Sequence, residues 1–219
     1  MRSTTWQDLS YRFLVAVDIE GFSRRPPAEQ AKIQEALEHA MSHAAATARL
    51  DRKRWYRQPR GDGELAVLPP DANGLSLVAD YPRMLDSALA DINRHAEPGA
   101  RLRIRMAIHH GTVFPGCSFG PVGAAPVVVS RLVDSHILRR ALRRDNALDL
   151  VLIVSAPVYE EIVKTRLREL DPDQFCRANI RSKDASFTGY LYQAGPSPAG
   201  PKSSSAATLT EPLALQART

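Results

Sequence analysis

The 219-residue chain is 44 % hydrophobic, enough for one well-filled core and too little for several large domains. Its 29 Lys and Arg against 24 Asp and Glu give a net charge of +5, which suits an anionic ligand but falls short of a dedicated nucleic-acid binder. Two cysteines, Cys117 and Cys176, exclude a disulfide framework and form no Cys-x-x-Cys pair; no apolar run reaches the roughly 20 residues of a membrane span, and the first residues lack a signal-peptide core, so a soluble cytoplasmic protein is expected.

Arg12 to Asp18 is an apolar run rich in β-formers that ends at a turn, Glu20-Gly21-Phe22-Ser23, and predicts a buried strand. After Pro26-Pro27, the apolar positions Ile33, Leu37, Ala40, Met41, Ala44 and Ala48 recur at helical spacing. Arg54 to Gln58 and Glu64 to Leu68 predict a hairpin with Asp62 at its bend. Gly74 to Ala96 is helical in pattern, and Arg101 to His109 alternates basic and apolar side chains as a half-exposed strand would.

A Gly- and Pro-rich loop, Gly111 to Gly123, leads to one helix from about Ala125 to Arg144, and a strand at Leu150 to Val154 follows. A short helix over Val158 to Val163 and a final hairpin, Phe175 to Arg181 with Phe187 to Gln193, complete the order. This predicts an α+β fold: a ferredoxin-like βαββαβ core with an appended helix and C-terminal hairpin. The expected division is an N-terminal extension at 1–10, one domain at 11–194 and a disordered Pro-, Ser- and Ala-rich tail at 195–219.

In such a core the first strand lies beside the central hairpin, so Asp18 and Asp62 approach each other. Two close carboxylates repel unless one takes a proton or a cation joins them, and oxygen ligands of this kind suit magnesium or manganese. Asp62 is equally well read as an ordinary Gly-Asp-Gly turn residue. The basic stretches Arg49 to Arg60 and Arg139 to Arg144 read as solvated faces, which argues against nucleic-acid binding.

VDIEGFS at Val17 to Ser23 and GDGELAV at Gly61 to Val67 resemble the two metal loops of class III nucleotidyl cyclases. The resemblance continues in order through LRIRMAIHHGTV at Leu102 to Val113, GPVGAAPVVVSRL at Gly120 to Leu132 and LVLIVSAPVYEEIV at Leu150 to Val163. It implies the class III cyclase fold and conversion of a nucleoside triphosphate to a 3′,5′-cyclic mononucleotide and pyrophosphate, in cyclic-nucleotide signalling. It also implies two divalent metal ions, Mg²⁺ or Mn²⁺, on Asp18, Asp62 and the Ile19 carbonyl, and a homodimer with active sites shared between chains.

By the same resemblance, the turn amides at Gly21, Phe22 and Ser23 meet phosphate oxygens, with Phe22 packing its ring. Arg131 meets the charged transition state, and Lys183 the triphosphate. Read alone, Arg131 is a solvated helix arginine and Lys183 a surface lysine. Three substrate positions depart from the family: Val127 stands where an asparagine orients the ribose, and Gln58 and Gly120 stand where the purine-reading pair belongs. Gln58 both donates and accepts, so another base edge, including a pyrimidine's, is open to it. The departures also support an alternative, a catalytically impaired cyclase-fold protein that binds nucleotide or dimerises as a regulatory partner.

Overall fold

The computed structural model describes residues 9–97, 100–114, 118–181 and 186–193. Lys183, Cys117 and the expected tail lie outside these residues. Seven strands form one sheet: β1 (Ser10–Ile19), β2 (Tyr56–Arg60), β3 (Gly63–Val67), β4 (Ile104–Val113), β5 (Leu150–Ser155), β6 (Phe175–Arg181) and β7 (Ser186–Tyr192). Their spatial order is β2-β3-β1-β4-β5-β7-β6. The first four strands with α1 (Pro27–Thr47) and α2 (Tyr81–Asn93) are the predicted split βαββαβ core, and β5 extends it in parallel to β4.

Strand alternation builds a core on each face of the sheet. Val15, Val17, Ile19, Ile104, Met106 and Ile108 pack with Ile33, Leu37 and Met41 of α1 and Tyr81, Leu85 and Leu89 of α2. Leu14, Ala16, Leu65, Val67 and Ala107 face the other way, toward α3 (Ala124–Val133) and α4 (His136–Arg144). Parity therefore turns Asp18 toward α3 and α4, and Glu64 toward α1.

Three sequence expectations need correction. β4 is not half-exposed: it sits between β1 and β5 with helices over both faces, its Arg105 is held by the buried Asp18, and Arg103 just before it donates to the Leu148 carbonyl. The long helix expected over Ala125 to Arg144 is two, because Ser135 stops the first and caps the second, its hydroxyl accepting from the Leu138 amide at 3.3 Å. β2 starts two residues late and carries Pro59 within it, which an edge strand tolerates.

His109 on β4 is buried, with Nδ1 2.9 Å from Ser155 Oγ. Burial, then the neighbouring His110, hold its imidazole down from 6.5 to about 4. Unfolded, the ring takes a proton near pH 6.5, before the folded ring does. Stability from this group is therefore complete above that pH and falls as pH drops from about 6.5 to about 4. The loss should reach roughly 3 kcal/mol, read as a lower urea midpoint at pH 4 than at pH 7. His109→Asn should flatten that dependence.

Candidate functional site

β1 and β3 run antiparallel, and Asp18 lies opposite Gly63. One step further, the Ile19 amide donates to the Asp62 carbonyl at 2.7 Å. In a strand a residue's N–H and C=O point to the same edge, so the Ile19 carbonyl also faces the hairpin. The two segments that resemble metal loops thus meet at adjoining strand ends. Gly63 permits this approach, since a Cβ there would collide with the Val17 carbonyl, its carbon only 2.8 Å away. Gly63→Ala should cost about 1–3 kcal/mol in chemical denaturation, through displacement of the hairpin.

The two acids differ sharply. Asp62 is exposed, and Gln34 of α1 steadies the bend by donating to the Gly61 carbonyl at 2.6 Å. Asp18 is only 8 % exposed, and its Oδ2 accepts from Arg105 Nη2 of β4. Burial, then the positive field of Arg139, pull the Arg105 guanidinium below its usual range. Asp18 is its counter-charge, so the pair neutralises Asp18 without metal. Sequence reading missed Arg105; pairing β1 with β4 in antiparallel register, Asp18 opposite Arg105, would have found it.

The turn after β1 is tight. Gly21 takes φ +67°, a left-handed conformation that favours glycine, and Phe22–Arg24 form a single 3₁₀ turn. The Glu20 amide is already engaged, donating to the Arg103 carbonyl at 2.8 Å, while Glu20 Oε2 accepts from Arg103 Nη1 at 3.0 Å. Phe22 packs against the α1–α2 core. Among the described residues, this leaves the Gly21, Phe22 and Ser23 amides as the donors at the turn.

Val127 and Arg131 lie one helical turn apart on α3, both exposed, on a face turned away from the core. Across from it, Gln58 Nε2 of β2 donates to the Phe119 carbonyl at 3.0 Å, and Gln58 is so close to Gly120 that a Cβ there would meet it at 2.8 Å. The structure therefore brings Gln58 and Gly120 together within a single chain. Arg60 reaches Ser130 of α3 at 3.4 Å. Asp18, Asp62 and the turn form one group, and Gln58, Gly120, Val127 and Arg131 lie along the neighbouring β2–α3 surface.

A two-sided seven-stranded sheet built on a split βαββαβ core defines an α+β domain, with Asp18 at the end of β1 and Asp62 at the bend of the β2–β3 hairpin. More particularly, the chain has the fold of class III adenylyl and guanylyl cyclase catalytic domains. It superposes on an adenylate/guanylate cyclase/hydrolase from Silicibacter pomeroyi with TM-score 0.61 at 15 % identity, covering 86 % of this chain and 99 % of that one. It is similar to the guanylyl cyclase Cya2, with TM-score 0.58 at 15 % identity over 88 % of this chain and 96 % of that one. The guanylate cyclase domain of RhGC from Catenaria anguillulae in complex with GTP matches with TM-score 0.52 at 15 % identity, over 84 % and 96 % of the two chains. No family model matches the sequence, and neither does any curated protein. Among the described residues no helix is long and apolar enough to cross a membrane.

Proposed function

We propose that the chain is a metal-dependent nucleotidyl cyclase acting on a ribonucleoside triphosphate, with a 3′,5′-cyclic mononucleotide and pyrophosphate as products. The observation that carries this reading is the meeting of Asp18, the Ile19 carbonyl and Asp62 at adjoining strand ends, in a chain with the cyclase fold. Two carboxylates and a carbonyl are hard oxygen donors that suit Mg²⁺ or Mn²⁺ keeping several waters, with Asp18 Oδ1, the oxygen that Arg105 does not take, as the one open to the ion. When bound, such ions polarise the α-phosphate and make the ribose 3′-hydroxyl easier to deprotonate.

The protein's own groups do the rest. The Gly21, Phe22 and Ser23 amides donate to phosphate oxygens, which fixes the triphosphate against the turn. The 3′-oxygen bonds to the α-phosphorus, the bond from that phosphorus to the bridging oxygen breaks, the hydroxyl proton goes to solvent and pyrophosphate leaves. Arg131, supplied by a second copy in a homodimer, offsets the charge that develops at phosphorus, and Lys183 holds the triphosphate tail. Gln58 faces the base. Incubating the protein with each of the four ribonucleoside triphosphates and Mn²⁺ should give a cyclic product from at least one. No product from any of the four sinks the activity.

One feature favours the second reading, a nucleotide-binding or dimerising regulatory partner. Val127, 52 % exposed at the ribose position, offers no hydrogen bond to a sugar hydroxyl. Metal-dependent triphosphate binding without turnover is the result that selects it.

A further inference from the structure

Helix α4 turns Leu138 and Leu142 into the core and keeps Ile137 and Ala141 half-buried at its flanks. Its outer face is made of Arg139, Arg140, Arg143 and Arg144, all exposed. Between Arg131 and Asp145 five arginines stand against two aspartates, so this short segment carries three of the five net positive charges of the whole chain. The positive charge is concentrated rather than spread.

Helix stability does not account for these arginines. Arg139 and Arg143, like Arg140 and Arg144, lie one turn apart, where like charges repel across the helix surface. Only Arg139 has an acid, Asp134 at 3.5 Å, with both side chains about half exposed. Arg140, Arg143 and Arg144 meet no carboxylate among the described residues. Cations in a last turn can offset the helix dipole, but here the carbonyls of Leu142 and Asp145 already accept from Arg103 Nη2, which reaches them from the residue before β4. Asp145 itself turns its Oδ1 to the Ala147 amide at 2.8 Å. A local conflict that the fold does not resolve points to a partner outside the chain.

We propose that the outer face of α4 docks the protein onto an anionic lipid bilayer, its arginines meeting the phosphates of the headgroups. The helix carries no Phe, Tyr or Trp, so it lacks the stacking groups with which proteins hold single-stranded nucleic acid. An acid stands at each end of it, Asp134 and Asp145, so the basic track stops where a nucleic-acid backbone would continue. A plane of anionic headgroups needs no such continuation. The apolar side of α4 is spent on the sheet, so nothing inserts between lipid chains and the attraction is electrostatic. Attachment of this kind uses no membrane-spanning helix.

Co-sedimentation of the full-length protein with vesicles tests this, one set of phosphatidylcholine alone and one of phosphatidylcholine mixed with phosphatidylglycerol. The wild type should partition onto the mixed vesicles only, and added salt should release it. Arg140→Ala with Arg144→Ala should lower the partition coefficient roughly 25-fold, at about fivefold per arginine near a charged surface. The same pair changed to lysine should bind as the wild type does, because a field of headgroups answers to charge rather than to the guanidinium fork. The alanine pair removes a repulsive contact and should melt no lower than the wild type.

Absence of wild-type binding to the mixed vesicles, or equal binding by the alanine pair, overturns the proposal. So does binding to RNA that the alanine pair abolishes while vesicle binding stays unchanged. None of these readouts involves turnover, so the lipid surface stands or falls apart from the cyclase reading.

Discussion

Asp62→Ala should lower cyclic-product formation by about 1,000-fold or more and leave thermal stability unchanged, whereas Asp18→Ala should lose both. On the proposed reading the catalytic losses match because each variant removes an oxygen donor to the metal, a contribution of several kcal/mol at about 1.4 kcal/mol per tenfold in rate. The stability losses do not match. Asp62 is exposed and its structural bond is made by its backbone carbonyl, which alanine keeps. Asp18 is buried against Arg105, and removing it strands a guanidinium whose Nε is already buried without a partner. Breaking a buried pair from one side costs about 3–5 kcal/mol. Adding Arg105→Met to Asp18→Ala should return much of that stability and none of the activity. Equal melting temperatures for the two single variants would remove the Asp18–Arg105 pairing from the account. Full turnover by Asp62→Ala would remove the metal assignment.

The core elements were legible because local patterns agree with the fold. The β1 run ending at Asp18, the helical spacing from Ile33 to Ala48 and the final hairpin all fall where their periodicity places them. The errors share a cause: periodicity reports which residues share a face but not what covers that face. RLRIRMAIH alternates like a half-wet strand, yet both faces of β4 are covered, and Arg103 and Arg105 are accommodated by carbonyl and carboxylate partners. The break at Ser135 was likewise hidden, since Ser135 interrupts no apolar stripe and acts through a cap hydrogen bond. Asp18 and Asp62 were readable from the two loops they end. Their unequal burial was not, because it depends on a residue 87 positions away.

The largest purely structural effect should follow from Glu64, two residues beyond Asp62. Its carboxylate is 9 % exposed and accepts from Arg52 at 2.7 and 3.1 Å, while Arg52 also reaches Glu38 of α1 at 2.7 Å. Burial alone would lower the Arg52 guanidinium, but the hydrogen bond and field of Glu64 outweigh it and raise it. Arg57 of β2 joins Glu38 at 2.7 Å, so one acid–base network ties α1, the 3₁₀ turn at Arg52–Arg54 and the β2–β3 hairpin together. Glu64→Ala leaves the buried Arg52 with Glu38, whose side chain is about half exposed, as its one remaining carboxylate among the described residues, near a Tyr81 hydroxyl that is itself buried without a partner. A destabilisation of about 3–5 kcal/mol is expected in chemical denaturation. The joint replacement Glu64→Leu with Arg52→Met should cost far less than either change alone, because it leaves no stranded charge. A double-mutant cycle showing additive losses would mean that the network does not hold the hairpin. If the coupling is present, the single variants should also weaken Mn²⁺ binding, since the segment that presents Asp62 is anchored to α1 through Glu64.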